Sequence, residues 1–339
     1  MVTIRMIAQQ CGCSTATVSK ALNGAPDVSA ETAERIRAAA AEMGYTPNAA
    51  ARALKTSRSY SFGVLFEESS NIGLAHEFFA RILNGFKCRA EELGYDISFI
   101  SDRLGGREMS YTEHARYRNY DGILLANVDA ADTGVMELLA SGIPVVTIDY
   151  VYDHCGSVLS DNVGGMRDLV NYVYRMGHRK IALIHGDLNA VSRIRLASFY
   201  RTCRELGLEI PDEYVIPGFF RDPQFASLAT RRLLELPDPP TCIFYPDDYA
   251  FIGGMNEIER SGLSIPGDVS AVGYDGLELI QAFRPKLTTL RQEALQMGTA
   301  AAEELVRAVE DGKSYIPRSI TVPGHILPGG TVKDLNKTK

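Results

Sequence analysis

Residues 3–23 constrain this chain more than any other stretch, because they read as two short helices broken at Gly12. In the second helix, Val18, Ala21 and Leu22 follow the i, i+3, i+4 spacing of an apolar face. The opposite face carries small or polar side chains and one cation, namely Thr15, Ala16, Ser19 and Lys20. A helix with such a face fits the major groove of DNA, where base edges can be read. The sequence therefore predicts a recognition helix.

Two hydroxyl residues, Thr3 and Ser14, stand where the N-caps of these helices belong, and each could also contact a DNA phosphate. A third helix is predicted after Ser29, and it ends at Gly44. Its expected buried positions are Ala33, Ile36, Ala40 and Met43. Three short helices around one small core define the expected headpiece, residues 1–46.

Charge is distributed unevenly along the 339 residues. Residues 1–58 contain seven Lys or Arg against four Asp or Glu, so this segment is +3 although the whole chain is −7. The basic end is therefore the expected phosphate-binding end. The length predicts two or three domains. We find no long apolar run and no basic-then-apolar leader at the start, and we expect a cytoplasmic protein.

Six cysteines are scattered without a Cys-x-x-Cys pair, which is typical of a reducing compartment. Cys11 and Cys13 could be taken for metal ligands, but the second ligand pair of a zinc site is missing. We interpret them as small buried thiols between two helices, and we expect no metal and no cofactor. His76, His178 and His185 belong to no recognisable nucleophile motif, so no catalytic residues are predicted and we do not expect an enzyme.

Residues 48–55 favour a helix of only about two turns, without an apolar face wide enough to need a core. A helix this far below the roughly 12–15 residues needed for marginal stability in water requires a partner. Two copies meeting over one operator could insert Leu54 into the minor groove and place Arg52 and Lys55 near phosphates. The alternative is a plain alanine-rich linker, and in either case residues 47–59 form the expected hinge and linker.

The first 55 residues resemble the headpiece and hinge of the lactose/galactose repressor family. The motifs that carry the resemblance are residues 3–23, Val28-Ser29-x-Glu31-Thr32 and Gly44-Tyr45-x-Pro47-Asn48-Ala-x-Ala51-Arg52-x-Leu54. The resemblance implies base reading by Thr15, Ala16 and Lys20. Beside the cap hydroxyls of Thr3 and Ser14, it implies backbone contacts from Thr17, Ser19, Asn23 and Tyr45. It implies minor-groove contacts from the hinge residues Asn48, Ala51, Arg52, Leu54 and Lys55.

Lys20 departs from the family pattern, since arginine is more common at this position. A lysine lacks the planar fork that binds guanine through two hydrogen bonds, so base discrimination at that step is expected to be looser or different.

From residue 61 onward, short apolar strands alternate with helices in two sets, which predicts βαβ units, parallel sheets and two lobes. Three later segments resemble the core that this family shares with periplasmic sugar-binding proteins, namely Gly177-His-Arg-Lys-Ile-Ala182, Val269-Ser-Ala-Val-Gly-Tyr-Asp275 and Leu287-Thr-Thr-Leu-Arg291. The expected fold is an all-α helix-turn-helix headpiece followed by an α/β two-lobed, periplasmic-binding-protein-like core over residues 60–328.

The expected lobe boundaries follow from the two sets. They are about 60–160 and 291–318 for the N-lobe, about 161–288 and 319–328 for the C-lobe, and 329–339 for a polar tail. The tail lacks the leucine heptads of a tetramerising coil, so a dimer is expected.

Ligands of open α/β sheets bind beyond the carboxyl ends of the strands. Residues there offer carboxylates, an arginine and flat rings, which suit the hydroxyls and apolar faces of a sugar. The expected effector-binding residues are Phe78, Phe79, Asn127, Asp129, Asp149, Asp161, Arg195, Phe220, Asp247 and Asp275. A cap or turn role is the alternative for Asp161 and Asp275. A core position is the alternative for one of the two adjacent phenylalanines.

Arg195 begins Arg-Leu-Ala-Ser-Phe199, which is similar to the family's Arg-x-x-Gly-Phe effector motif, with Ser198 in place of the glycine. Asp247 stands where asparagine is common and removes a hydrogen-bond donor from the cleft.

These features predict a DNA-binding transcriptional regulator, a repressor, controlled by a small molecule between its lobes. The expected partners are a near-palindromic double-stranded DNA operator, a carbohydrate effector and a second copy of the chain, with no membrane. The alternative is a solute-binding module or sensor of the same two-lobe fold, which would carry a leader peptide and no headpiece. An α/β enzyme would need a phosphate loop or nucleophile set that we do not find.

Overall fold

The computed structural model describes residues 2–46, 58–67, 73–129 and 131–338. The chain divides into two units, Met1–Ser59 and Tyr60–Lys339. The predicted hinge contacts lie outside the described residues, namely those of Asn48, Ala51, Arg52, Leu54 and Lys55. Within the described part of the chain, no helix has the length and apolar character needed to cross a membrane.

The first unit contains three helices: α1 (Ile4–Cys11), α2 (Thr15–Leu22) and α3 (Ala30–Glu42). Two of them start at the predicted caps, because the Thr3 side chain accepts the Met6 N–H at 3.4 Å and the Ser14 side chain accepts the Thr17 N–H at 3.0 Å. Gly12 ends α1 with φ +60°, a left-handed conformation that glycine adopts without steric cost. The buried core of the unit is Ile7, Ala8, Val18, Ala21, Ala33, Ile36 and Ala40.

The second unit alternates strands with helices, as predicted. Its strands are β1 (Ser61–Phe66), β2 (Asp96–Phe99), β3 (Arg103–Leu104), β4 (Arg107–Glu108), β5 (Gly122–Ala126), β6 (Val145–Ile148), β7 (Gly156–Ser160), β8 (Ile181–His185), β9 (Val215–Pro217), β10 (Cys242–Phe244), β11 (Ser270–Asp275), β12 (Thr288–Arg291), β13 (Ser319–Val322) and β14 (His325–Leu327). Its helices are α4 (Glu77–Glu92), α5 (Tyr111–Arg118), α6 (Thr133–Leu139), α7 (Asn162–Arg175), α8 (Ala190–Glu205), α9 (Pro223–Leu234), α10 (Asp248–Arg260), α11 (Glu278–Gln281) and α12 (Ala294–Asp311).

The N-lobe sheet has the order β13-β7-β6-β5-β1-β2, and its pairings are parallel. One predicted boundary is wrong, because residues 319–328 were placed in the C-lobe. Ser319 and Val322 pair with Ser157 and Ser160 of β7, so β13 closes an edge of the N-lobe sheet. The chain crosses between the lobes near its end. The lobe to which such a short strand belongs is therefore determined by the strand it pairs with and not by its position in the sequence.

The C-lobe sheet has the order β14-β12-β11-β10-β8-β9, parallel except for the antiparallel pair β12 and β14. Residues 329–338, most of the predicted polar tail, pack on this lobe. Thr331 is fully buried, and its hydroxyl donates to the Ala271 carbonyl at 2.7 Å and accepts the Thr288 N–H at 2.9 Å. The polar side chains of this stretch thus serve as partners for buried backbone groups.

Helices α4 and α12 contact each other through their backbones in the N-lobe. A Cβ atom on Gly85 would lie 2.2 Å from the Leu295 carbonyl oxygen, and one on Gly298 would lie 2.0 Å from the Ile82 carbonyl oxygen. Glycine is required at both positions because any side chain would push the helices apart. This contact fixes α4, whose first residue, Glu77, reaches the C-lobe.

Candidate DNA interface and effector cleft

The exposed face of α2 presents the three predicted base-reading side chains. Thr15, Ala16 and Lys20 are exposed, whereas Val18 and Ala21 are buried against the other two helices. The 3.6-residue period thus produces the predicted separation of an apolar and a polar face. Contact of these side chains with bases remains a prediction.

Lys20 forms an ion pair with Asp27, a residue that the sequence analysis did not single out. The hydrogen bond from Lys20 lowers the pKa of the Asp27 carboxyl. Asp27 lies in the segment between α2 and α3, so the cation of the recognition face has an acid partner before any DNA is bound.

The predicted backbone-contact residues surround α2. The Ser14 and Thr17 hydroxyls are 2.8 Å apart, and the Asn23 amide donates to the Ser19 carbonyl at 2.6 Å. Tyr45 is half-buried against the headpiece core. These contacts fix the side chains near the two ends of α2.

The two headpiece cysteines were expected to be buried, but Cys11 and Cys13 are only half-buried against the headpiece core. They flank the turn between α1 and α2, where the surface is only partly covered.

Arg195 is the centre of the cleft in the second unit. Its side chain extends from α8 and is only 8 % exposed. The Nε–H group donates to Asn162 Oδ1 at 2.7 Å, and Nη1 donates to the Pro246 carbonyl at 3.3 Å. The guanidinium carbon lies 3.5 Å from the centre of the Tyr274 ring and 5.8 Å from that of Phe220. Hydrogen bonds and a cation–π contact therefore hold the guanidinium in one place.

Two predicted carboxylates, one from each lobe, interact electrostatically with Arg195. Asp149 follows β6 of the N-lobe, and Asp275 ends β11 of the C-lobe. Burial raises the pKa of Asp149, while the N–H of Ser160 and the charge of Arg195 act in the opposite direction. Burial also raises the pKa of Asp275 to about 7, against the attraction of Arg195 and a 2.6 Å hydrogen bond from Gln292. The arginine thus links charges from both lobes.

Strained backbone positions cluster around this cleft. Asn127, Asp149, Arg221 and Asp275 have φ values of +52°, +61°, +56° and +110°, in a region that side chains other than glycine rarely adopt. Such positions cost about 1–3 kcal/mol each and persist where the surrounding structure fixes them, typically at binding sites. Asn127 and Asp149 directly follow strands, Asp275 ends β11, and Arg221 lies in the loop between β9 and α9.

Several predicted effector residues also have a structural role. Asp161 is the N-cap of α7 and accepts the Gly164 N–H at 2.8 Å. Asp247, only 2 % exposed, is the N-cap of α10 and accepts the N–H groups of Ala250 at 2.7 Å and Arg221 at 2.6 Å. Burial raises the pKa of the Asp247 carboxyl against these hydrogen bonds. The cap alternative therefore describes the observed bonds of Asp161, whereas the cap role of Asp247 was not predicted.

Two further predicted residues lie on N-lobe loops. Asp129 is exposed and accepts the Ala131 N–H at 2.9 Å. The Asn127 amide donates to the Glu67 carbonyl at 2.8 Å, which holds the ends of β5 and β1 together.

The predicted aromatic residues separate into core and cleft positions. Phe78 is 7 % exposed and belongs to the N-lobe core, so its assignment to the effector set is corrected. Its ring packs among the buried residues of that core. Phe79 is half-buried between Phe66 and His76. Phe220 lies in the cleft, where its ring covers Gly186 and lines a small cavity together with Arg195.

Three residues of the cleft were missed by the sequence analysis: Ser192, Arg221 and Gln292. Ser192 lines the same cavity as Arg195, one helical turn before it. Gln292 directly follows the Leu287-to-Arg291 motif, and Arg221 directly follows the predicted effector residue Phe220. Gln292 and Arg221 could have been found in the sequence by their position next to residues that were already predicted to bind the effector or to belong to a family motif.

The two lobes also meet outside the cleft. The Glu278 carboxylate accepts a hydrogen bond from Arg291 at 2.9 Å and lies 3.6 Å from Arg81 of α4. Glu77 of α4 accepts the backbone N–H of Glu278 at 3.0 Å. These contacts join the N-lobe helix α4 to the short C-lobe helix α11.

A three-helix headpiece with a polar recognition face, followed by two α/β lobes around a charged cleft, defines a ligand-responsive DNA-binding regulator. Two family models match the chain in that order. Residues 3–48 match the bacterial regulatory proteins of the lacI family, and residues 170–332 match the periplasmic binding protein-like domain.

Relatives and solved structures of the same kind match this chain over nearly its whole length. The HTH-type transcriptional repressor PurR of Vibrio campbellii is 30% identical over 344 residues, covering 99% of this chain and 100% of that protein. The lac repressor dimer bound to operator and the anti-inducer ONPF has a TM-score of 0.81 at 25% identity, over 98% of this chain and 99% of that chain. The complex of the transcriptional regulator CelR with cellobiose has a TM-score of 0.71 at 26% identity, over 98% and 100%.

The chain therefore belongs to the lacI family of bacterial regulatory proteins and is a DNA-binding transcriptional regulator. The predicted family and fold class are confirmed.

Proposed function

We propose that this chain is a dimeric transcriptional repressor whose operator binding is controlled by a carbohydrate held between the two lobes. The observation that carries the proposal is Arg195, a buried cation of the C-lobe that interacts with Asp149 of the N-lobe and Asp275 of the C-lobe. Because its partners lie on both lobes, any change in lobe separation changes its surroundings.

A ligand in this cleft would bind the open and closed lobe arrangements with different affinities. Only that difference in binding free energy can shift a conformational equilibrium and, through it, DNA binding. The contacts of Glu278 with α4 stabilise the lobe arrangement observed here, and a ligand would reinforce or break them.

The chemistry of the cleft supports a carbohydrate. Phe220 and Tyr274 offer flat rings to the apolar face of a sugar, while Asp149 and Asp275 offer oxygen atoms to its hydroxyls. The structurally similar regulator CelR was solved with cellobiose.

On the DNA side, we propose that Thr15, Ala16 and Lys20 read bases in the major groove. Two copies of α2 about one helical turn of DNA apart, roughly 34–36 Å, would match a near-palindromic operator. The lac repressor neighbour was solved as a dimer bound to operator. The proposed minor-groove contact of Leu54 rests on the sequence resemblance.

We further propose that the protein acts in the cytoplasm, where its operator DNA lies, and that it performs no catalysis. The relative PurR of Vibrio campbellii is a transcriptional repressor, and the lac repressor is a structural neighbour.

The test has two stages. Operator sequences are first enriched from random duplexes with the full chain, and their half-site symmetry is determined. Sugars that raise the thermal unfolding temperature of the chain are then tested for an effect on operator affinity. The proposal predicts a symmetric operator and at least one sugar that changes its affinity. Failure to enrich any sequence, or sugar binding with unchanged operator affinity for every hit, would contradict it.

A further inference from the structure

Arg221 occupies a fixed position at the edge of the cleft. It lies in the loop between β9 and α9, with φ +56°, and its backbone N–H donates to Asp247 Oδ2 at 2.6 Å. Its guanidinium carbon lies 4.6 Å from the centre of the Tyr249 ring. The charge of Arg221 acts on the carboxyls of Asp247 and Asp275, which places it beside the predicted effector residues.

The Nε–H group of Arg221 is buried, yet it has no hydrogen-bond partner in the described part of the chain. Leaving a buried donor unsatisfied costs about 1–3 kcal/mol, and more when the donor is charged. Buried polar groups are nearly always satisfied, so each exception calls for an explanation. A bound ligand that supplies an acceptor would satisfy this donor.

The other groups of the cleft indicate what that ligand must supply. Its carboxylates already accept hydrogen bonds from the protein: Asp247 from two backbone N–H groups and Asp275 from Gln292. The hydroxyls of Ser192 and Tyr274, by contrast, are buried without a partner among the described residues. Gln292 Oε1 is a buried acceptor without a partner there as well, so the cleft offers unpaired groups of both kinds, and the Nε–H of Arg221 is the cationic donor among them.

Charge points in the same direction. Burial raises the pKa of Asp149, Asp247 and Asp275, and since that of Asp275 reaches about 7, this carboxyl is about half uncharged near neutral pH. Arg195 and Arg221 stay charged, because a guanidinium does not lose its proton in this range. The cleft is thus more positive than a count of its acidic residues suggests.

We propose that the effector carries an oxyanion, a carboxylate or a phosphate, and that Arg221 binds this group. The inference rests on the proposed function, because it assigns a chemical class to the effector of that cleft. A guanidinium suits either anion, since its planar set of N–H donors matches two oxygens at once. Arg221 is then the residue that makes the cleft bind acidic sugars more tightly than their neutral counterparts.

The experiment uses the full chain and sugars that differ only in the acidic group. Calorimetric titrations are made with D-glucose, D-glucuronate and D-glucose 6-phosphate, and with the corresponding three compounds of D-galactose. At least one acidic member is expected to bind at least about tenfold more tightly than its neutral counterpart. The carboxylate and phosphate arms show which oxyanion the site takes.

Three variants assign the effect to Arg221. Arg221→Gln is expected to weaken binding of the acidic ligand by about 10- to 100-fold. Arg221→Lys is expected to weaken it by less, because lysine keeps the positive charge. Arg232→Gln removes the same charge from an exposed position on α9 of the same lobe and is expected to leave binding unchanged. Thermal unfolding without ligand checks that each variant is folded.

Two results would overturn the inference: no acidic sugar binds, or Arg221→Gln binds the acidic hit as tightly as the wild type. A neutral sugar that binds both proteins equally and changes operator affinity would also overturn it, while leaving the proposed function intact. An acidic ligand that depends on Arg221 but leaves operator affinity unchanged would support the binding site and contradict the proposed function.

Discussion

The recognition face of α2 and the effector cleft differ in how they are built. The face comes from one contiguous stretch, residues 15–20, and its side chains are largely exposed. The cleft combines residues far apart in sequence, such as Asp149, Arg195 and Asp275, which are buried or half-buried and act on one another. A substitution on the face should therefore affect DNA binding with little effect on folding, whereas one in the cleft should affect ligand binding and stability together.

Arg195→Ala should give the largest effect and would sharpen this contrast. It removes a buried guanidinium that donates to Asn162 and to the Pro246 carbonyl, and a hydrogen bond from a charged group contributes about 1.5–3 kcal/mol, so the loss of stability should be about 3 kcal/mol or more. Urea unfolding measures this loss, with Arg201→Ala, on the exposed side of the same helix, as the control. A loss below about 1 kcal/mol, as for surface ion pairs, would show that these buried hydrogen bonds do not hold the guanidinium in place.

Asp275→Asn should change the pH dependence of stability. The folded-state pKa of Asp275 is about 7, above the usual value of 3.8, so the wild type loses stability as pH rises from 4 to 7. The variant does not titrate at this position. Its free energy of unfolding relative to wild type should therefore rise by about 2–3 kcal/mol between pH 5 and pH 8. The same difference at both pH values would contradict the raised pKa.

Lys20→Ala tests the other side of the comparison. Specific operator binding should weaken by about 1–3 kcal/mol, the value of a base contact, while the free energy of unfolding changes little. Asp27→Asn serves as a companion variant, because it removes the acid partner and keeps the lysine. Filter binding measures the affinity of both variants for the operator and for random DNA. An equal loss on the two DNAs would make Lys20 a phosphate contact only.

Glu278→Gln should give the smallest effect, because the carboxylate is largely exposed and such ion pairs contribute up to about 1 kcal/mol. It should nevertheless increase hydrogen exchange at α11 and the start of α4, where the two lobes meet. Glu303→Gln removes a comparable ion pair, with Arg89, that lies within the N-lobe. Equal increases in both variants would show that the Glu278 contact has no special role between lobes.

The same contrast explains what could be predicted from the sequence. Caps and a 3.6-residue period are local, so they predicted Thr3, Ser14 and the exposed face of α2. The lobe of β13 was predicted wrongly because it depends on pairing with β7, about 160 residues earlier in the chain. Phe78 and Arg221 could not be assigned either, because each adjoins a second candidate in sequence and only packing shows which side chain is in the core or in the cleft.

We propose that the effector cleft controls operator binding without contacting the operator itself. The most direct measurement is operator affinity with and without a sugar that stabilises the wild type, made in parallel on Arg195→Ala and on Arg195→Lys, which keeps the charge. We predict that the sugar changes wild-type operator affinity by about 5- to 150-fold, the usual range of allosteric coupling. Arg195→Ala should bind operator with wild-type affinity and lose the response. An undiminished response in both variants would contradict the account.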